Sequence, residues 1–81
     1  MSAVLTPTIE KTPGVCGGDA RIANTRIPVW LLVGYRKDGV TDRKILDLYP
    51  QLTHADLAAA WWYYAEHREE IERTILEQED A

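Results

Sequence analysis

The chain has 81 residues, 46% of them hydrophobic and 27% charged, with a formal net charge of −4. That length holds one domain, and a chain so short buries only roughly 60% of its unfolded surface, so its core is small. The composition excludes disorder throughout, the negative charge argues against a simple basic nucleic-acid coat protein, and a single cysteine excludes an internal disulfide.

In chain order, Thr12-Pro13-Gly14 and Gly17-Gly18-Asp19 are turn signals. Ala20-Arg21-Ile22 and Thr25-Arg26-Ile27 flank Ala23-Asn24, which predicts a tight hairpin because Asn tolerates positive φ. Such a hairpin is marginal alone and should lean on helices or on a second copy. Pro28 suits the first turn of a helix that carries Val29, Leu32, Val33 and Arg36 on one face and stops at Gly39. A second helix opens at Thr41 as N-cap, turns Ile45 and Leu48 inward, and ends before Pro50. The third opens at Thr53, with Asp56 completing a capping-box-like pair and Leu52 acting as staple. Leu57, Ala60 or Trp61, Tyr64, Arg68, Ile71 and Ile75 then recur at helical spacing. No Gly or Pro interrupts from His54 onward, so this helix is expected to exceed twenty residues, its second half projecting.

Residues 1–65 carry seven basic and six acidic side chains, whereas residues 66–81 carry seven acids and two arginines. The expected organisation is a nearly neutral body over 1–65 and an acidic helical extension over 66–81. Residues 1–10 have neither a basic n-region nor an apolar h-region, and the longest apolar run, 27–34, is far short of a membrane span. A cytoplasmic protein without a membrane segment is expected.

Little here suggests catalysis. Cys16 with His54 or His67 lacks any local signature of a nucleophile and its base, and a small thiol in a turn explains it. These three side chains, scattered over three elements, do not make a metal site. The glycines of 14–18 lack the Gly-Lys-Ser/Thr ending of a phosphate loop, and Glu69-Glu70 fits a solvated helix face. No enzyme, cofactor or metal is expected.

The run Trp61-Trp62-Tyr63-Tyr64 points around the whole helix, of which a small domain buries about half. Trp61 and Tyr64 share the core stripe with Leu57; Trp62 and Tyr63 then face a partner. Three helices with a short link before the third suggest a helix-turn-helix. Yet the third helix begins with His54, Ala55, Asp56, Ala58 and Ala59, which offer no Arg, Lys, Asn or Gln to read a base. Candidate DNA contacts are therefore Arg21, Arg26, Arg43, Lys44 and His54, with Arg36 and Lys37 near the first loop.

Taken together, residues 12–18 (TPGVCGG), Arg21-Ile22, residues 24–29 (NTRIPV), residues 47–53 (DLYPQLT) and Asp56-Leu57 resemble one bacterial family. It is the family of domain of unknown function 433, VapB-like antitoxins, and the resemblance covers nearly all of residues 9–67. It implies a mainly α fold: an N-terminal β-hairpin followed by a three-helix homeodomain-like helix-turn-helix with a long C-terminal helix. It also implies a type II toxin–antitoxin system, in which the protein sequesters a PIN-like ribonuclease toxin and represses its own operon as a dimer or higher assembly. Two positions depart from the family pattern: Asp19-Ala20 replaces Lys/Arg-Pro, and Asn24 replaces Gly. The first removes a basic charge from the hairpin's base; the second leaves the left-handed turn accessible.

PIN-like nucleases hold metal with clustered carboxylates. The expected toxin-binding residues are accordingly Ile71, Ile75 and Leu76 as a helix-in-groove stripe, Arg68 or Arg73 for the acidic pocket, and Trp62 and Tyr63 beside them. The expected partners are the toxin, a second copy through the N-terminal hairpin, and operator DNA. A DNA-binding regulator without a toxin and a structural dimerisation domain are the alternatives.

Overall fold

In the computed structural model, residues 9–14 and 16–79 are described. The reading of a missing signal peptide therefore falls largely on residues outside that range, as does the burial of the Cys16 side chain. The architecture is mainly helical, with an N-terminal antiparallel two-stranded pairing followed by four helices. Strand β1 (Ile9–Glu10) pairs with β2 (Arg21–Ile22), Ile9 opposite Ile22 and Glu10 opposite Arg21. A 3-10 turn at Cys16–Gly18 lies in the connection, and α1 (Val29–Lys37), α2 (Asp42–Leu48), α3 (His54–Glu66) and α4 (Arg68–Glu79) follow.

The strand partner differs from the expected one. The 25–27 segment does turn back on β2, through Ile22 N–H donating to the Ile27 carbonyl (3.0 Å) and a bridge between Arg21 and Pro28. Asn24 takes φ 64° in that turn, and the Thr25 hydroxyl donates to the Ile22 carbonyl at 2.7 Å. The ladder itself, however, is made with residues eleven to thirteen positions upstream, and β2 is occupied on both sides. The Arg21 guanidinium is buried and reaches Glu10 (2.8 Å), its register partner, and the Thr12 hydroxyl (3.2 Å).

Local signals set the helix ends. Gly39 (φ 87°) closes α1, its N–H donating to Arg36 and the Val40 N–H to Tyr35, the paired bonds of a Schellman end. Thr41 Oγ1 accepts from Lys44 N–H, and Thr53 and Asp56 form a reciprocal capping box. The core joins Ala20, Ile22 and Ile27 to Val29, Leu32, Val33, Ile45, Leu52, Leu57, Ala60 and Ile71. Leu48, expected to point inward, is 46% exposed: α2 ends there and only Ile45 of that helix is fully buried.

Two further expectations are corrected. The helix that opens at His54 does not continue unbroken, because His67 (φ −133°, ψ 45°) leaves the helical region and separates α3 from α4. Nor does the second half project: α4 lies against α1, and Ile71 is 2% exposed within the common core. The physical reason is long-range. Lys37 at the end of α1 and Lys11 beyond β1 hold Glu72 and Glu70 of α4, and Ile71 sits between those two anchors. No described helix is long and apolar enough to cross a membrane.

Candidate interaction surface

The four consecutive aromatics of α3 divide into three roles. Trp61 is half-buried; its indole N–H donates to Asp42 at 3.3 Å, and the Arg36 guanidinium lies 4.6 Å from the ring centre. Trp62 is 69% exposed. Tyr63 and Tyr64 turn toward α4. The Tyr63 hydroxyl donates to Glu70 (2.9 Å), its ring stacks on His67 at 4.1 Å, and Lys11 meets the same carboxylate at 3.0 Å. The Tyr64 hydroxyl donates to Glu72, which Lys37 also grips at 2.6 Å, while Arg68 lies over the Tyr64 ring at 4.9 Å. Tyr63 is thus a tether for α4 and not the exposed partner-facing ring that helical position alone suggests.

These two clusters polarise their members. The Lys37 ammonium, then the Tyr64 hydroxyl, hold the Glu72 carboxyl below its usual range. Glu72 in turn raises Lys37 and Tyr64. Tyr63 is raised first by burial and then by Glu70, and Lys11 is raised by its bond to Glu70. Glu70 and Glu72, which look in sequence like part of a solvated acidic face, are the fastening of α4.

Among the described residues, two surfaces remain open. On α3, Ala55, Ala58, Trp62 and Ala65 are exposed and recur at three and four, forming one apolar stripe with the indole at its centre. Between α1 and α4 runs a groove of ≈400 Å³ lined by Trp30, Leu31, Gly34, Tyr35 and Asp38 on one side and Ile75, Gln78 and Glu79 on the other. In sequence this face of α1 carries no marker of a role beyond the core except Gly34, a mid-helix glycine in a run that is apolar all round.

Of the expected toxin contacts, Trp62, Arg68, Arg73 and Leu76 are exposed, Ile75 is half-buried in the groove wall, and Ile71 and Tyr63 are taken up by packing. Of the expected DNA contacts, Arg26, Arg43, Lys44 and His54 are exposed, whereas Arg21 is committed to Glu10. Among the described residues no group of three or more His, Cys, Asp or Glu side chains is placed to hold a metal ion.

A family model described as protein of unknown function (DUF433) matches residues 9–64, which takes in everything from β1 to Tyr64 and leaves α4 outside. The chain is also similar to the crystal structure of a DUF433 member from Anabaena variabilis, at 57% identity and a TM-score of 0.84, over 89% of this chain and 70% of that one. No curated protein is significantly similar to it. With the family model spanning more than half of the chain and a solved family member more than half identical, the chain belongs to the DUF433 family.

Proposed function

We propose that the chain is a protein-binding module of the antitoxin kind, which captures and neutralises a PIN-like ribonuclease. One observation carries this reading: Trp62, 69% exposed, stands in the middle of an alanine-lined stripe with no partner among the described residues. A tryptophan held out on a rigid helix is a costly surface residue in a monomer and a typical anchor at an interface. Flanking alanines let a partner approach the helix closely and enclose the indole. Arg68 and Arg73 supply exposed guanidinium groups beyond the end of that helix, suited by their fork of donors to the carboxylates of a metal-holding nuclease site.

Base-specific DNA recognition gains no such support. The exposed start of α3 presents His54, Ala55 and Ala58, and Asp56 is engaged in the capping box.

The test is co-expression of the tagged chain with a PIN-like nuclease from the neighbouring reading frame, followed by affinity purification. A stoichiometric complex that is lost with Trp62→Ala and kept with Leu48→Ala supports the reading. Absence of such a reading frame, or a nuclease that fails to co-purify, overturns it.

A further inference from the structure

We infer that the groove between α1 and α4 is a second docking surface, shaped for an amphipathic helix of a partner protein whose apolar stripe is flanked by lysine or arginine. This does not depend on the toxin reading and concerns a different face.

Three observations converge on it. The first is α1 itself: its first seven residues, 29–35, are all nonpolar, yet Val29, Leu32 and Val33 alone are buried in the core. Trp30, Leu31, Gly34 and Tyr35 form a second stripe on the same helix and face the groove, opposite Ile75. A helix apolar all round has two faces to cover; the fold buries one fully and leaves the other half-covered, with Trp30 and Tyr35 packed at the core's edge and the Tyr35 hydroxyl paired with that of Tyr49.

The second is Gly34. It is helical, has no positive φ, and a methyl group built on it would meet nothing within 4 Å. A glycine inside a helix costs stability relative to alanine, and neither the backbone nor any neighbour among the described residues requires it. An occupant whose backbone comes close to α1 at that point does require it, because a bare Cα lets two helices approach more nearly.

The third is charge. Asp38 and Glu79 stand at the groove wall and neither makes an ion pair among the described residues; the one cation nearby, Lys37, feels Glu79 but is held by Glu72, so the rim keeps a negative balance. An acidic rim over an apolar floor selects a basic, amphipathic occupant and disfavours a second α4 from another copy, which would bring like charge against like. A volume of ≈400 Å³ lies within the range of roughly 300–1,000 Å³ typical of recognition pockets and suits two or three large apolar side chains.

The experiment titrates two synthetic amphipathic helical peptides into the full chain, followed by amide and indole chemical shifts. Both carry the same leucine stripe; one is flanked by lysine and arginine, the other by glutamate. The basic peptide is expected to bind at least ten-fold more tightly, to shift Gly34 and the Trp30 indole before Trp62, and to weaken as salt rises. Gly34→Leu, whose Cβ has nothing within 4 Å and whose side chain would occupy the groove, should weaken that peptide at least ten-fold. If Gly34→Leu fails to fold, the surface pair Asp38→Lys with Glu79→Lys replaces it and should invert the preference. Equal affinity for the two peptides, no binding of either, or binding undiminished by these variants overturns the inference. So does a dimer seen by light scattering that Gly34→Leu dissociates, which would make a second copy the occupant. A basic peptide bound here while the nuclease fails to co-purify leaves this inference standing and removes the toxin reading alone.

Discussion

Ile71 and Leu76 lie five residues apart on one helix and look equivalent in an apolar stripe, yet the structure assigns them opposite fates. Ile71 is 2% exposed in the common core, and Leu76 is 61% exposed. Replacing a fully buried isoleucine by alanine costs roughly 2–5 kcal/mol, from lost transfer free energy and the cavity left behind. The global stability expected for a domain of this length is roughly 4–12 kcal/mol, so a loss of about 3 kcal/mol removes a large part of it. In thermal unfolding that loss lowers Tm by roughly 12–24 °C. Leu76→Ala should stay within about 0.5 kcal/mol, the usual range for surface substitutions. The assay is urea and thermal unfolding of both variants, read by far-ultraviolet circular dichroism and tryptophan fluorescence. Comparable, small effects for the two variants would refute the docking of α4 on α1 and restore a free projecting helix. The same reasoning makes truncation after His67 a poor test of partner binding, since it removes Ile71 from the core along with any docking stripe.

Three further outcomes are expected. Thr53→Ala removes one half of the capping box and should cost about 1 kcal/mol in chemical denaturation, with little change in the fold. The Glu72 cluster gives α4 a pH window. Its depressed carboxyl contributes stability above the ordinary carboxylate pKa of about 4.3, and that contribution is lost as pH falls through the lower folded value. The raised Lys37 and Tyr64 contribute below about 10 and lose their contribution as pH climbs through their folded values; Glu72→Gln should flatten both flanks and return the Tyr64 absorbance titration toward the ordinary phenol. Asn24 sits at φ 64°, so Asn24→Gly should be neutral or slightly stabilising, and Asn24→Val should cost roughly 1–2 kcal/mol in the same unfolding assay.

What could be read from the sequence was what neighbours in the chain decide. Thr41 and Thr53 act as caps because the amide they accept from is three residues away, and Gly39 ends α1 because only the local backbone is involved. The left-handed turn at Asn24 is legible for the same reason. The break at His67 is not, because nothing between Glu66 and Arg68 demands it. It accompanies the folding back of α4, which buries Ile71 in the common core and brings Lys37 to Glu72 and Lys11 to Glu70, partners 35 and 59 positions apart. β1 escaped notice because two residues carry no periodicity, and its pairing with β2 is decided by Ile9 and Glu10 finding Ile22 and Arg21 across a glycine-rich connection. At the surface, the exposure of Trp62 follows from helical spacing, whereas the inward turn of Tyr63 depends on a carboxylate seven residues on that only the bent α3–α4 pair brings into reach. The groove on α1 was hidden because a run of seven nonpolar residues reads as core from end to end.

The central proposal, that the chain neutralises a ribonuclease through the Trp62 face of α3, is tested most directly by titrating it into an RNA-cleavage assay with any PIN-like nuclease encoded beside it. Wild-type chain should abolish cleavage near equimolar ratio, and folded Trp62→Ala should need at least ten-fold more, in line with the roughly 2 kcal/mol or more expected of a buried anchor. Cleavage unaffected by excess wild-type chain, or equal inhibition by Trp62→Ala, would contradict it.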